Sequence, residues 1–440
     1  MSERFDASAA GNLVARSETK YDNLGRIYES IRYGVDPSTG TVGNPITSNY
    51  WFDAAGNPIK SLPGGAKKFT KQSYDSLGRV VISYVGFGDD TTYADAASVT
   101  GDVILTQSET TYDDAGNSIQ SDTRQRYHNA PAAQTGALGS PTVTPNARIQ
   151  YSANYPDALD RLVATAEYGT NGGASLTRSA TIPASSDTTL VSRQIYNHAG
   201  ELRDSIDPAG KVLRTSYDAA GRLTETIDNY VATVPSSSSS SGGGCADSDD
   251  LNQTTQFTYT ADGQLKTLTA INTSTGNQVT QYVYGSTLSE SDIASSMLLK
   301  EEIYPDSTGP TDQVSYTYNR QSQRTSLTDQ NGSTRQFDYD ALGRQTQDCV
   351  TTLGAGVDGA IRRVEQSYDV RGNVSAVTCY NTAAIGSGSI VNQVTREFDD
   401  FGNVTATYQA HSGAVNPAST PSVGRSYTDG SGNVLRPTAT

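Results

Sequence analysis

The sequence of 440 residues predicts an all-β protein in which antiparallel β-hairpin repeats stack into a spiralling sheet. A six-residue motif recurs along the chain: an aromatic residue, an acid, two variable residues, a glycine and then Arg or Asn. The residues on either side of each copy alternate in character, which is the period of two expected of a strand. The composition, with 26 Tyr and 41 Gly, favours strands and turns.

We call this motif the turn hexamer, and eight copies match it closely. They contain Tyr21, Asp22, Gly25 and Arg26; Phe52, Asp53 and Gly56; Tyr74, Asp75, Gly78 and Arg79; Tyr112, Asp113 and Gly116; Tyr217, Asp218, Gly221 and Arg222; Tyr339, Asp340, Gly343 and Arg344; Tyr368, Asp369 and Gly372; and Phe398, Asp399 and Gly402. Degenerate copies lie at Tyr155, Tyr196, Tyr304, Tyr318 and Tyr427. Tyr196 and Tyr217 are 21 residues apart, as are Tyr318 and Tyr339, which indicates a basic unit of that length with longer loops inserted elsewhere.

Each hexamer is predicted to form the turn of a β-hairpin. Val314-Ser315-Tyr316-Thr317-Tyr318 alternates before one copy, and alternation resumes after another in 403–408. The acid can accept a hydrogen bond from the backbone two residues later, and the glycine can take the left-handed conformation that other residues resist. A lone hairpin is only marginally stable in water, so neighbouring units must stack and bury one another's side chains.

We predict a single β-domain over residues 1–440, because hexamers occur throughout. Two segments are predicted to be loop insertions: 129–146, rich in Pro, Ala, Gly and Thr, and 235–250, which is rich in Ser and Gly. Asp292–Tyr304 is the one segment that could hold a short helix, although its end, Tyr304-Pro305-Asp306, is typical of a strand entering a turn. We expect helix content to be minor.

Charge and hydropathy argue against two classes of partner. Asp and Glu number 47 against 32 Lys and Arg, giving a net charge of −15, whereas a nucleic-acid-binding surface needs concentrated positive charge. The sequence contains no apolar run of about 18 residues that could span a bilayer. Its first thirty residues lack the apolar core of a signal peptide.

Catalytic and metal-binding motifs are absent from the sequence. We find no nucleophile elbow, zinc-peptidase helix or phosphate-binding loop. His128, His198 and His411 are isolated, and Asp247–Asp250 lacks the spacing of a calcium-binding loop. We therefore expect a protein that is not an enzyme, with no catalytic residue, no metal and no cofactor.

The acids of the hexamers are predicted to form turns rather than to catalyse a reaction. An active site needs one tuned environment, whereas these acids recur in every unit. The Arg after the glycine has three possible roles: stacking on a neighbouring Tyr ring, pairing with the turn Asp of the next unit, or standing solvated on its strand.

The three cysteines, Cys245, Cys349 and Cys379, do not form a disulfide framework. Cys349 and Cys379 follow successive hexamers, which predicts neighbouring strands and opposite faces unless a bulge intervenes. The sequence does not decide whether they form a disulfide bond, and free thiols are the default expectation.

The hexamers resemble the units of the RHS/YD-repeat family, named for the Tyr-Asp dipeptide of its Tyr-Asp-x-x-Gly-Arg unit. The resemblance extends from Tyr21 to Gly432. It implies a long antiparallel sheet forming a partial shell or barrel, as in bacterial RHS toxins, the B and C subunits of Tc toxins and teneurins. It also implies a secreted or cell-surface protein whose shell encapsulates or displays a C-terminal effector, so the expected partners are the remainder of a longer RHS-type chain or such an effector.

The sequence departs from the family at one point. It lacks the terminal Asp-Pro-x-Gly-Leu boundary at which family members cut themselves, and Asp207-Pro208-Ala209-Gly210-Lys211 is predicted to be an ordinary turn. The alternative function is a carbohydrate-binding or adhesive module, because Tyr rings flanked by Asp, Asn and Gln can stack on glycans and hydrogen-bond to them. The regular spacing of the Tyr residues favours the structural role.

Overall fold

A computed structural model describes residues 1–5, 11–88, 92–232, 250–305, 312–428 and 434–438. The described residues form 29 strands, and every strand pairing whose register is defined is antiparallel, so the prediction of an all-β fold built from hairpins is confirmed. Helical conformation among the described residues occurs in one turn of α-helix, Tyr93–Ala96 (α1), in one 3-10 turn, Asn171–Gly173, and at Asp250, which is also in the 3-10 conformation.

The strands are short and follow one another with few interruptions. The first fifteen are β1 Ser2–Phe5, β2 Leu13–Tyr21, β3 Ile27–Val35, β4 Val42–Phe52, β5 Pro58–Leu62, β6 Lys68–Tyr74, β7 Val80–Phe87, β8 Val103–Tyr112, β9 Ser118–Arg126, β10 Ala147–Pro156, β11 Leu162–Gly169, β12 Leu190–Tyr196, β13 Leu202–Ile206, β14 Val212–Tyr217 and β15 Leu223–Asp228. The others are β16 Gln253–Tyr259, β17 Leu265–Ala270, β18 Gln278–Ser286, β19 Ser295–Ile303, β20 Gln313–Tyr318, β21 Arg324–Thr328, β22 Thr334–Tyr339, β23 Gln345–Thr352, β24 Arg363–Tyr368, β25 Val374–Tyr380, β26 Ile390–Phe398, β27 Val404–His411, β28 Ser422–Thr428 and β29 Val434–Thr438.

The described chain divides into two compact units. The first contains residues 1, 17–32 and 45–253, and the second contains residues 2–16, 33–44 and 254–440. In the first unit β4 to β15 pair in chain order, and in the second β16 to β29 do the same. Each unit is therefore a meander of hairpins.

This topology separates two kinds of connection. Every close copy of the turn hexamer joins an even-numbered strand to the next odd-numbered one, and because consecutive strands are antiparallel, these turns lie at one edge of each unit. The degenerate copy predicted at Tyr304 departs from this rule, because Tyr304 follows β19 and precedes β20. We call this edge the hexamer edge. The connections from odd- to even-numbered strands lie at the opposite edge, which we call the insertion edge, and the segment 127–146 is one of them.

The segments at the insertion edge of the first unit cover part of the sheet. Leu138 from the loop before β10 is buried in a cluster with Phe69, Tyr84, Ile104 and Ala147. Ile182 from the loop before β12 packs on a second cluster: Ala153, Tyr155, Ala164, Ala166 and Val191. Burying one Leu side chain contributes about 1.5–3 kcal/mol, so these loops supply the second layer that a sheet with an apolar face requires.

A buried ion pair fastens another insertion-edge segment to the same face. Lys71 Nζ lies 2.6 Å from Asp102 Oδ2, and both side chains are almost completely buried. Lys71 also donates to the backbone oxygens of Asp95 at 2.7 Å and Ser98 at 2.5 Å. A strand residue thus anchors the segment that contains α1, with three acceptors around its ammonium group.

One expected local element differs in the structure, and another lies almost entirely outside the described residues. The segment 292–304, which could have held a short helix, contains the strand β19, and the α1 turn lies elsewhere. Of the Ser/Gly-rich segment 235–250, only Asp250 lies within the described residues, and Cys245 lies outside them.

The expected placement of the other two cysteines is wrong. Cys349 lies on β23 and Cys379 on β25, with β24 paired between them. Each hexamer has one strand before it and one after it, so residues that follow successive hexamers lie two strands apart. Both thiols are free, and burial raises the pKa of each.

Candidate functional site

The turn hexamers share one backbone geometry. In the first copy the Asp22 N–H donates to Arg26 O at 2.9 Å, the Gly25 N–H donates to Asp22 O at 3.0 Å, and Gly25 has φ +78°. This is a three-residue hairpin loop that ends in a left-handed residue. The same two backbone bonds recur in the other seven close copies, at 2.9–3.1 Å.

The turn acid is held by its own loop. Asp22 Oδ1 accepts the Leu24 and Arg26 N–H groups, both at 2.9 Å, and Asp22 Oδ2 accepts Arg26 Nε at 2.7 Å. These bonds, chiefly the one from the Arg26 backbone, hold the pKa of Asp22 below its usual value. The carboxylate is thus occupied as a turn-forming group.

The sixth position of the hexamer supplies the donor for that carboxylate. Where Arg is replaced by Asn, the amide makes the same bond, as from Asn57 Nδ2 to Asp53 Oδ2 at 2.9 Å. In the degenerate copy at Tyr196 the donor and the acceptor are exchanged. Asn197, at the acid position, donates from Nδ2 to Oε2 of Glu201, at the sixth position, at 2.8 Å. Arg therefore pairs with the carboxylate of its own turn. It also meets the next unit's turn Asp, but through the backbone oxygen: Arg26 Nη1 donates to Asp53 O at 3.4 Å and Arg79 Nη1 donates to Asp113 O at 3.3 Å.

The guanidinium group also reaches the next hexamer along the chain. Four such pairs place it over the aromatic ring that begins the following copy: Arg26 on Phe52, Arg79 on Tyr112, Arg161 on Tyr196 and Arg344 on Tyr368, at 4.7, 4.5, 4.5 and 4.2 Å from the ring centroid. One side chain therefore closes its own turn and stacks on its neighbour.

The tyrosine hydroxyl completes the link in the opposite direction. It donates to the backbone oxygen of the residue directly after the preceding hexamer. The pairs are Tyr74 with Pro58 O at 2.8 Å, Tyr112 with Val80 O at 2.9 Å, Tyr196 with Leu162 O at 2.9 Å, Tyr339 with Arg324 O at 2.7 Å and Tyr368 with Gln345 O at 2.7 Å. We call these stacked and hydrogen-bonded hexamers the turn ladder.

Some hexamer positions depart from the common pattern. Phe52 and Phe398 have no hydroxyl to donate, and Tyr21, in the first copy, is 59% exposed. In two degenerate copies the glycine position is taken by Asp160, with φ +60°, and by Ser322, with φ +63°. The sequence pattern missed Asp160 because Pro156, one residue after Tyr155, occupies the aromatic position of this hexamer, yet Arg161 still pairs with Asp157 at 2.6 Å.

The described residues bring no other reactive group together at the ladder. Among them no three His, Cys, Asp or Glu side chains come close enough to hold a metal ion. His198 lies within the turn 197–201, far from His128 and His411 in sequence. No helix in the described part of the chain has the length and apolar character needed to cross a membrane.

This geometry defines a protein of stacked β-hairpin repeats linked through their turns. Residues 196–230 match the family model described as RHS Repeat, and this segment contains the hexamers of Tyr196 and Tyr217. The chain thus carries an RHS repeat, and the resemblance indicated by the hexamers is confirmed. No curated protein matches the chain.

Solved structures that resemble the chain include three Tc toxin assemblies. They are TcdB2-TccC3-TEV (10% identity, TM-score 0.33, 97% of this chain and 23% of the other), TcdB2-TccC3 (11%, 0.28, 96% and 24%) and a Photorhabdus luminescens Tc holotoxin pore with a substitution in TccC3 (11%, 0.29, 97% and 26%). The chain spans about a quarter of the length of these chains.

Proposed function

We propose that this chain is a non-enzymatic scaffold segment of a larger RHS-type protein. The observation that carries the proposal is the turn ladder, in which one Arg closes its own turn and stacks on the next ring. The hydroxyl of that next residue, where it is Tyr, binds back to the preceding turn. Side chains used in this way are committed to holding neighbouring hairpins together. A repeated structural link suits a protein whose task is to form an extended wall.

The proposed partners follow from the family resemblance. The wall would encapsulate or display a C-terminal effector, and the protein would be secreted or reside at the cell surface. The described residues offer no competing catalytic constellation, because the turn acids are engaged by backbone N–H groups and the described cysteines are separate free thiols.

The experiment is to isolate the native protein from its source with an antibody raised against this chain. We expect a polypeptide longer than 440 residues, or a stable complex with a second polypeptide, and protease resistance of the associated part. A native product of 440 residues that carries no associated polypeptide would overturn the scaffold proposal.

The carbohydrate alternative needs a site other than the ladder. The ladder tyrosines Tyr74, Tyr112, Tyr196, Tyr339 and Tyr368 are half-buried, and their hydroxyls are bonded to backbone. A glycan would have to displace these contacts in order to stack on the rings.

A further inference from the structure

The fourth residue of the hexamer differs in exposure from copy to copy. In the last two close copies it is Arg371 and Phe401, and both side chains are half-buried. In four other copies it is a leucine whose exposed fraction is 69–78%: Leu24, Leu77, Leu159 and Leu342. Large aliphatic side chains at such exposure, repeated at one position of a turn, suit an interaction with another polypeptide. The last two copies show what covers this position.

In the second unit a segment of the chain lies against the turn that contains Phe401. The Val35 N–H donates to Asp400 O at 3.1 Å, and Val35 is almost completely buried. A Cβ at Gly34 would lie 3.2 Å from Phe401 Cζ, so the missing side chain lets the ring approach this backbone. Gly34 and Val35 end β3, directly before a connection from an odd- to an even-numbered strand. A hexamer turn therefore packs against a strand end of the kind found at the insertion edge.

A guanidinium group binds the neighbouring turn of the same unit. Arg4 Nη2 donates to Arg371 O at 2.8 Å, and Arg371 is the fourth residue of its hexamer. Two kinds of contact thus cover these turns: apolar packing against the fourth side chain, and a hydrogen bond to the backbone oxygen of the third or fourth residue.

The insertion edge of the second unit has an apolar pocket of about 220 Å³. The connection 353–362 between β23 and β24 forms one wall, and Val357 and Ile361 within it are 40% and 43% exposed. The other aliphatic residues of the lining are Val350, Leu353 and Val364. Sites for small molecules usually measure about 300–1,000 Å³, so a pocket of this size suits a single side chain.

Arg362 lines the same pocket and has a donor to spare. Its Nε and Nη2 donate to Val350 O at 2.9 and 2.7 Å, whereas no hydrogen bond of its Nη1 occurs among the described residues. The pocket therefore combines the two features that cover the turns of Arg371 and Phe401, an apolar contact and a guanidinium donor beside it.

We propose that this pocket binds the fourth-position leucine of a hexamer in a second copy of this chain, with Arg362 donating to a backbone oxygen of that turn. The contact between Phe401 and Gly34 identifies the occupant, because it joins a hexamer turn to the same kind of strand end. The leucines and the pocket are different surfaces of the chain, so the association is head-to-tail. Each added copy then leaves a pocket unoccupied, and assembly can continue.

Sedimentation velocity of the full chain over a series of concentrations tests the proposal. We expect species larger than a monomer that increase with concentration, and their loss in Val357→Asp, which places a charge in the pocket. The same loss is expected when all four exposed leucines are replaced by Ser. Val143→Asp is the matched control and should associate like the parent, because Val143 is 58% exposed at the insertion edge of the first unit and lies outside the pocket.

A mixture of the two defective variants gives the sharpest result. The Val357→Asp chain keeps its leucines and the leucine variant keeps its pocket, so the mixture should form complexes that contain both, although neither associates alone. All substitutions are at exposed positions, and unchanged circular dichroism and thermal midpoint establish that each variant is folded.

A chain that stays monomeric at every concentration would overturn the proposal, including the case in which the pocket serves a different polypeptide. So would a mixture that stays monomeric, or a Val143→Asp variant that associates no better than Val357→Asp. None of these results bears on the scaffold function, which is tested by the length of the native protein and by its association with a different polypeptide.

Discussion

Arg79 lies over the ring of Tyr112, with 4.5 Å between the guanidinium carbon and the ring centroid, and the Tyr112 hydroxyl donates to the residue that follows Arg79. The two side chains thus link consecutive hexamers in both directions. The RHS units of this chain differ in the length of their loops at the insertion edge. Such a link holds neighbouring turns in the same relative position whatever the length of those loops.

Replacing Tyr112 by Phe removes only the hydroxyl and leaves the Val80 oxygen without this donor. We expect a loss of about 0.5–1.5 kcal/mol in the free energy of unfolding, measured by urea denaturation. Tyr21→Phe is the control, because Tyr21 is 59% exposed and no hydrogen bond of its hydroxyl occurs among the described residues. Equal losses in the two variants would contradict the ladder.

Substitutions of Arg79 separate its bond to Asp75 from its contacts with the next hexamer. Arg79→Asn keeps a donor for Asp75, as Asn57 does for Asp53, but loses the stack on Tyr112 and the bond to Asp113 O. We expect it to cost about 0.5–1 kcal/mol, the size of an exposed cation–π contact. Arg79→Ala loses both contacts and should cost more. A thermal melt in which Ala is as stable as Asn would show that the bond to Asp75 contributes nothing.

Gly25→Ala tests the backbone of the turn alone, because Gly25 has φ +78° and a Cβ there would meet no atom within 4 Å. The left-handed conformation costs about 1–2 kcal/mol for other residues, so the thermal midpoint should fall. Gly424→Ala is the control, since Gly424 also has open space but no positive φ. Equal midpoints in these two variants would refute the assigned turn conformation.

We expect the ion pairs of Asp204 to make a pH-dependent contribution to the free energy of unfolding. Hydrogen bonds from Arg214 and then Arg203 hold the pKa of this buried carboxylate below its usual value. A folded pKa below the unfolded one, about 3.9, stabilises the fold above that pH and loses this contribution as pH falls through the folded pKa. Asp204→Asn should therefore destabilise the protein at pH 7 but progressively less below about pH 4.

Urea denaturation from pH 7 to pH 2 measures this difference, with Asp262→Asn as the exposed control. A constant difference between Asp204→Asn and the parent over the whole range would contradict the assignment.

Lys71→Met leaves the Asp102 carboxylate buried without its ammonium partner. Breaking a buried pair in this way costs about 3–5 kcal/mol, so we expect the largest loss of stability among these variants. Lys67→Met is the control, because Lys67 is exposed. Faster proteolysis within 92–102 should accompany the loss, since Lys71 holds the backbone of Asp95 and Ser98. Unaltered cleavage there would show that the segment is held by other contacts.

Local chemistry in the sequence was sufficient to predict the hairpins. A turn whose acid, glycine and sixth residue lie within five positions is determined by short-range sterics and hydrogen bonds, so Asp22, Gly25 and Arg26 could be assigned their turn from spacing alone. The same reasoning identified the RHS units, because it depends on repetition rather than on long-range contacts.

Contacts between distant residues were decided by the tertiary structure. Which ring Arg79 stacks on depends on strand pairing across 33 residues, and the burial of Leu138 depends on how the 129–146 segment folds over Phe69 and Ile104. A cleft lined by Gln150 and residues 167–172 and 187–190 likewise requires three segments that no sequence period connects. A repeat pattern specifies each hairpin, whereas the partners of its side chains follow only from the folded packing.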